Sequence, residues 1–247
     1  MINKNIVMIA RFPVNATSAI ELSQGIWNRM DASKKSVLFF ANTNFIVKCR
    51  LLVERLDSDN IVIVNDGLGM DIARFLLHGR RFQSNLNGTD FMPYFFMHSK
   101  HKLRVFLLGG GASALKGSAY YLENTLGHEV VGSCNGYDDL KSNLNLVDII
   151  NASKADVVLV ALGNSNQEAW ILDNYEKINS KFFAGVGGLF DFWSGDKPRA
   201  PLWIQSFRME WLYRLCLEPK RLYKRYTIDA LKFLFCCIKY RKQGVKS

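Results

Sequence analysis

Short, almost continuously apolar runs alternate with stretches whose apolar residues recur at helical spacing. The clearest runs are Ser36–Ala41, Ile61–Val64, Arg104–Leu108, Val130–Gly132, Asp156–Leu162 and Phe182–Val186. Runs with no polar alternation are what strands look like when both faces of a sheet are covered. Between them, Thr43–Leu56, Leu68–Leu77, Thr89–Lys100, Ala112–Leu126, Lys141–Ala152 and Gln167–Tyr175 read as helices. That order predicts an α/β fold, a Rossmann-like and mostly parallel sheet with helices on both faces. No internal repeat or low-complexity linker interrupts it. The pattern changes at Pro198-Arg199-Ala200-Pro201, after which Trp203–Leu217 and Pro219–Ile238 read as two helices. The chain therefore divides into a Rossmann-like domain, 1–197, and a helical appendage, 198–247.

Open α/β sheets bind ligands beyond the carboxyl ends of their strands. The segments in those places are Asn42-Thr43-Asn44, Asn65-Asp66-Gly67-Leu68-Gly69, Gly109-Gly110-Gly111, Ser133-Cys134-Asn135-Gly136-Tyr137, Gly163-Asn164-Ser165-Asn166-Gln167-Glu168 and Gly187-Gly188. All are rich in glycine or amides, and together they outline a polar cleft on one rim. Asp66, at the mouth of a strand, can act as a general base toward an attacking hydroxyl. The same carboxylate could instead cap the helix that begins near Leu68; position alone leaves both open. Gly109-Gly110-Gly111 precedes a helix and could receive a diphosphate on backbone N–H groups, or form a plain tight turn. Gln167-Glu168 could bind a sugar or base, or merely cap a helix. Asp191 could be a second acid or an ordinary helix residue.

Composition narrows the class. At 49% hydrophobic and 22% charged, with 18 Gly and 5 Pro, the chain is globular rather than disordered or fibrous. The net charge of +10 is unevenly distributed: residues 198–247 carry 12 Lys/Arg against 3 Asp/Glu, whereas 1–197 carry 20 against 19. A basic appendage interleaved with Trp203, Phe207, Trp211, Tyr213, Tyr223 and Tyr226 suits an anionic lipid or phosphorylated partner. Nucleic acid is the rival, but it leaves the glycine-rich rim unexplained, so no nucleic-acid partner is expected. Five cysteines without a C-x-x-C pair, and only four histidines, indicate neither a disulfide framework nor a zinc site. Asp57-Ser58-Asp59 falls on the wrong rim and Asp138-Asp139 is adjacent rather than spaced, so no metal and no cofactor is expected. The N-terminal apolar run is too short for a signal peptide, and no 18-residue apolar window could span a bilayer. A cytoplasmic protein, or one lying on the inner membrane face, is expected.

Several segments in order carry a more specific resemblance. They are Asn65-Asp66-Gly67-Leu68-Gly69, Asn87-Gly88-Thr89-Asp90, Val105–Gly110, Gly136-Tyr137, Leu162-Gly163 with Gln167-Glu168, and Gly185–Phe192. Arg199-Ala200-Pro201, Glu210–Arg214 and Glu218-Pro219-Lys220-Arg221 complete the set. From about Ser36 to Tyr226 the chain resembles the WecG/TagA/CpsF family of glycosyltransferases. The resemblance implies an inverting, metal-independent hexosyltransferase that moves a sugar from a UDP-sugar to a polyprenyl-diphosphate-linked saccharide in bacterial surface or exopolysaccharide biosynthesis. It implies Asp66 as base, and donor or acceptor contacts from Asn42, Asn65, Gly67, Asn87, Thr89, Asp90, Gly109, Gly110, Gly136, Tyr137, Gly163, Gln167 and Asp191. The appendage is implied to dock on the cytoplasmic membrane face, with Arg199, Arg214, Arg221 and Arg225 at diphosphate or membrane; a homo-oligomer is also compatible. Phe40 stands where the family often has Thr, and Asn85 where it often has Arg. The variants Asn65-Asp66-Gly67 and Asn85-Leu86-Asn87-Gly88-Thr89-Asp90 resemble the exopolysaccharide branch typified by GumM, which admits a glucosyl donor. The alternative is N-acetylmannosaminyl transfer to lipid-linked GlcNAc, of the teichoic acid or enterobacterial antigen type.

Overall fold

A computed structural model describes residues 5–136, 145–206 and 209–240. Its centre is an eight-stranded sheet in the order β1-β2-β4-β3-β8-β7-β5-β6. The strands are β1 (Ile6–Ile9), β2 (Phe12–Asn15), β3 (Ser36–Ala41), β4 (Ile61–Asn65), β5 (Arg104–Gly109), β6 (Glu129–Cys134), β7 (Val157–Ala161) and β8 (Phe182–Gly185). β1 is antiparallel to β2, and the other pairs are parallel. All six runs predicted from the sequence are strands. Every residue of β3 and β4 is buried, as their unbroken apolar character requires.

The N-terminal hairpin is not apparent from the pattern. Ala10 and Arg11, the two residues between β1 and β2, both adopt left-handed φ (48° and 74°). Such turns ordinarily advertise themselves by Asn-Gly or Asp-Gly, and Ala-Arg does not. Pro13 within β2 also masks the strand. Helix α1 (Ala19–Asp31) follows, started by a capping box in which Ser18 and Glu21 satisfy each other's backbone N–H groups.

Among the described residues the further helices of the body are α2 (Thr43–Lys48), α3 (Leu68–His78), α4 (Gly88–Met97), α5 (Ala112–Asn124), α6 (Leu146–Ala152), α7 (Asn166–Asn174) and α8 (Leu189–Trp193). The appendage holds α9 (Leu202–Ser206), α10 (Glu210–Leu217), α11 (Pro219–Tyr226) and α12 (Ile228–Lys239). Three predicted helices are shorter than expected. Thr43–Leu56 ends at Lys48 and resumes as a 3-10 turn at Val53–Leu56. The two appendage helices each divide in two, before Glu210 and at Thr227.

Two cores sandwich the sheet. On one face, Ile46, Met70, Ala73, Ile150 and Ile171 pack over Val37, Phe39, Ile63 and Phe183. On the other, Leu22, Phe91, Phe95, Leu122 and Phe190 pack over Leu38, Val62, Leu107 and Phe182. Phe233 and Cys237 of α12 belong to the first core, each 2% exposed. The last appendage helix is thus packed on the body along α2 and α3. No helix among the described residues is long and apolar enough to cross a membrane.

Candidate active site

The parallel register brings the ends of β3 and β4 level, Ala41 opposite Asn65. One more ladder bond, from the Asp66 N–H to the Ala41 carbonyl (2.7 Å), carries Asp66 just past the sheet. There the chain must turn sharply into α3, and Gly67 does so at φ +89°, a conformation costly for any residue with a Cβ. Gly67, which has no side chain, occupies the N-cap position of α3. The Asp66 carboxylate stands one residue ahead of that position. Half-buried, it accepts a hydrogen bond from Asn42 Nδ2 (3.1 Å) on the neighbouring loop.

Asn42 has two duties. Its Oδ1 accepts the Phe45 N–H (3.1 Å) as N-cap of α2, and its Nδ2 donates to Asp66. The first bond fixes which way the amide points, so the second can only be a donor to the carboxylate. Asn65 is fully buried; its Nδ2 donates to the Ser84 carbonyl (2.8 Å) and its own carbonyl accepts the Leu86 N–H (3.0 Å). It secures the 84–86 segment beneath the site. From that segment Asn85 Oδ1 accepts the Gly67 N–H (2.6 Å). Phe40, 7% exposed, packs against Phe91, and a Cβ on Gly88 would lie 3.3 Å from its ring. Both departures from the family pattern are thus absorbed into the floor and hinge of the site.

Beyond them, Asn87 caps α4 by accepting the Asp90 N–H (2.9 Å) and donates to Asp90 Oδ2 (2.7 Å). Thr89 is half-buried in the same turn. Asp90 also pairs with Arg199 (2.6 Å), and Arg199 and Arg214 share Glu210 (3.7 and 3.0 Å). Arg214 lies over the Phe192 ring. Asp191 pairs with Lys197 (2.5 Å), which also meets Glu218 (3.3 Å). These acid–base pairs tie the start of the appendage to α4 and α8 on one side of the rim. Tyr137 and the side chains of Arg221 and Arg225 lie outside the described residues.

The second half of the rim is a glycine crevice. The connection from β5 runs outward to β6, whereas that from adjacent β7 runs inward to β8, and such divergence opens a cleft between strands. Gly109 sits at φ +102°, and a Cβ there would come within 2.5 Å of the Ala161 carbonyl oxygen. The Gly110 N–H donates to Ala161 (3.1 Å), and the Gly136 N–H to the Gly110 carbonyl (3.1 Å). A Cβ on Gly136 would stand 3.2 Å from the Gly109 Cα. Backbone packs on backbone here, leaving a shallow floor before the start of α5.

Gly163 is exposed, but Gln167 and Glu168 are 3% and 1% exposed. Gln167 Oε1 accepts the Gly187 N–H (3.0 Å), and its Nε2 donates to Glu168 Oε1 (2.8 Å). Asn164 donates to the same oxygen (3.0 Å) and accepts from Asn44 (2.9 Å). Burial pushes the Glu168 carboxyl above the usual carboxylate range, against the opposing pull of the Gln167 and Asn164 bonds. Sequence reasoning placed Asn44 and Asn164 on the rim without singling them out, and left Gln167-Glu168 as either a sugar or base contact or a helix cap. The amide density of both loops was the available signal. Among the described residues no three His, Cys, Asp or Glu side chains form a metal-binding group.

A model of the Glycosyl transferase WecG/TagA/CpsF family matches residues 7–247. The chain belongs to that family. Among its relatives is an N-acetylglucosaminyldiphosphoundecaprenol N-acetyl-beta-D-mannosaminyltransferase of Bacillus spizizenii, 31% identical over 74% of this chain and 70% of the relative. A protein of the same name from Bacillus subtilis is 32% identical over 75% of this chain and 74% of the relative. Family membership makes this chain a glycosyltransferase, and the α/β architecture agrees with the fold that the resemblance implied.

Proposed function

We propose that this glycosyltransferase moves N-acetylmannosamine from its UDP conjugate to a polyprenyl-diphosphate-linked GlcNAc, with Asp66 as general base. The observation that carries the chemistry is the Asp66 carboxylate, held at the mouth of β4 by Asn42 on the same rim of the sheet as the glycine crevice at the ends of β5 and β7. Asp66 takes the proton from the acceptor hydroxyl as that oxygen forms its bond to the anomeric carbon. The bond from that carbon to the diphosphate breaks on the opposite face, so UDP leaves and the configuration inverts. The activity in the names of both Bacillus relatives favours N-acetylmannosaminyl over glucosyl transfer. Phe40 and Asn85 do not oppose it, since one is packed against Gly88 and Phe91 and the other holds the Gly67 N–H.

The basic, aromatic appendage supports docking on an anionic membrane surface, where a lipid-linked acceptor resides. A UDP-release assay with UDP-N-acetylmannosamine, UDP-glucose and UDP-N-acetylglucosamine, each with prenyl-diphosphate-linked GlcNAc, tests the reading. Release only with the first donor is expected, and Asp66→Asn should abolish it while UDP still binds. Release with UDP-glucose alone overturns the donor assignment. Near-full turnover by Asp66→Asn overturns the base.

A further inference from the structure

Glu168 is a buried carboxyl that the proposed chemistry does not use. A carboxyl removed from water is unfavourable unless its neighbours repay the desolvation with hydrogen bonds. Here the donors are Asn164 and the adjacent Gln167 of α7, and each of these amides also contacts a further loop at the carboxyl end of a strand. Asn164 belongs to the loop after β7, and Gln167 reaches the Gly187 N–H in the loop after β8. Asn164 in turn holds Asn44, in the first turn of α2 and two residues from Asn42. Asn42 caps that helix and donates to Asp66. The intervening loop is left-handed at Gly163 (φ 76°) and Ser165 (φ 52°), so the side chain of Asn164 is aimed by its partners rather than by regular secondary structure. A Cβ on Gly185 would meet Gln167 Nε2 at 3.0 Å, so the strand beneath leaves just enough room for that amide.

We propose that Glu168 is a positioning residue for glycosyl transfer: it anchors an amide relay through Asn164, Asn44 and Gln167 that holds the start of α2, and hence Asn42 and Asp66, in register with the loop after β8. This rests on the reading of Asp66 as base. The relay explains why a carboxyl rather than an apolar side chain fills the site: one oxygen, Oε1, accepts from two amides at once. Glutamine retains such an oxygen, whereas alanine does not.

The test is steady-state UDP release with UDP-N-acetylmannosamine and prenyl-diphosphate-linked GlcNAc for Glu168→Gln, Glu168→Ala, Asn44→Ala and the Ala/Ala double variant. Small displacements of a reacting group cost up to about a hundredfold in rate. We expect kcat to fall about tenfold to a hundredfold in each Ala variant, with donor KM changed less than about threefold. Glu168→Gln should stay within about threefold of wild type, and the double variant should be no slower than the slower single variant, as one connected unit requires. A wild-type kcat in Asn44→Ala, or effects that multiply in the double variant, would overturn the relay. If Glu168→Ala does not fold, Asn44→Ala and Glu168→Gln still decide. Asp66→Asn, assayed alongside, separates the two readings: turnover retained there sinks the base but leaves the coupling between positions 44 and 168 to be judged by itself.

Discussion

Replacing Asn42 by Asp would separate the two bonds that this side chain makes. Aspartate keeps an acceptor oxygen for the Phe45 N–H, so the cap of α2 survives. It loses the N–H that donates to Asp66 and sets a second carboxylate about one hydrogen-bond length away. Alanine loses both functions. An N-cap is worth about 1 kcal/mol, and a hydrogen bond to a charged group about 1.5–3 kcal/mol. If the Asn42 donor acts mainly in orienting Asp66 for the transition state, its loss corresponds to about a tenfold to hundredfold fall in kcat. Asn42→Ala should therefore be both about 1 kcal/mol less stable and that much slower. Asn42→Asp keeps the cap but sets two carboxylates against each other. Its stability should therefore recover toward wild type as pH falls and one of them is protonated, which alanine cannot show, and at neutral pH it should be at least as slow. Urea melts paired with UDP-release rates read both quantities. An Asn42→Asp enzyme with wild-type turnover would refute the reasoning, because no donor to Asp66 would then be needed.

Gly109→Ala must place a Cβ within 2.5 Å of the Ala161 carbonyl oxygen at φ +102°; a loss of more than about 2 kcal/mol is expected, and an unchanged melting temperature would contradict the crevice geometry. Phe233→Ala empties a site in the core shared with α2 and α3, so chemical unfolding should show about 3–5 kcal/mol lost. A loss below about 1 kcal/mol would mean that α12 is not packed on the body in solution. The Glu168 carboxyl is raised by burial, so the folded state holds that proton more tightly than the unfolded chain. Its contribution to stability is complete below the ordinary glutamate range and is lost as pH rises through the raised value. Stability measured across that window should fall in the wild type and flatten in Glu168→Gln.

Much of this organisation is legible in the chain itself. The runs Ser36–Ala41 and Asp156–Leu162 could hardly be anything but doubly covered strands, and the rule that ligands sit past strand ends pointed to Asp66 and the three glycines. Local chemistry suffices there because burial of both faces of a strand is written residue by residue. The β1–β2 hairpin was not legible, since Ala10 and Arg11 take left-handed conformations that only the pairing of Ile9 with Phe12 makes worthwhile. Nor was the environment of Gln167-Glu168, which look like an open helix start and are instead buried by the loops after β3 and β8.

Composition and pattern by themselves determined the α/β class, the polar, glycine-rich rim on which the chemistry is proposed, and the concentration of positive charge beyond residue 198. Tertiary structure alone decided which polar side chains face each other across that rim. It turned Asn42 toward Asp66 rather than toward solvent, and paired Arg199 with Asp90 across a sequence separation of 109 residues. It also buried Glu168 under Asn164 and Gln167, whose amides reach Asn44 after β3 and the Gly187 N–H after β8. The physical reason is that burial of a strand depends on its own residues, whereas the direction of a hydrogen bond depends on where the partner's loop emerges, and that is set by the order of strands in the sheet.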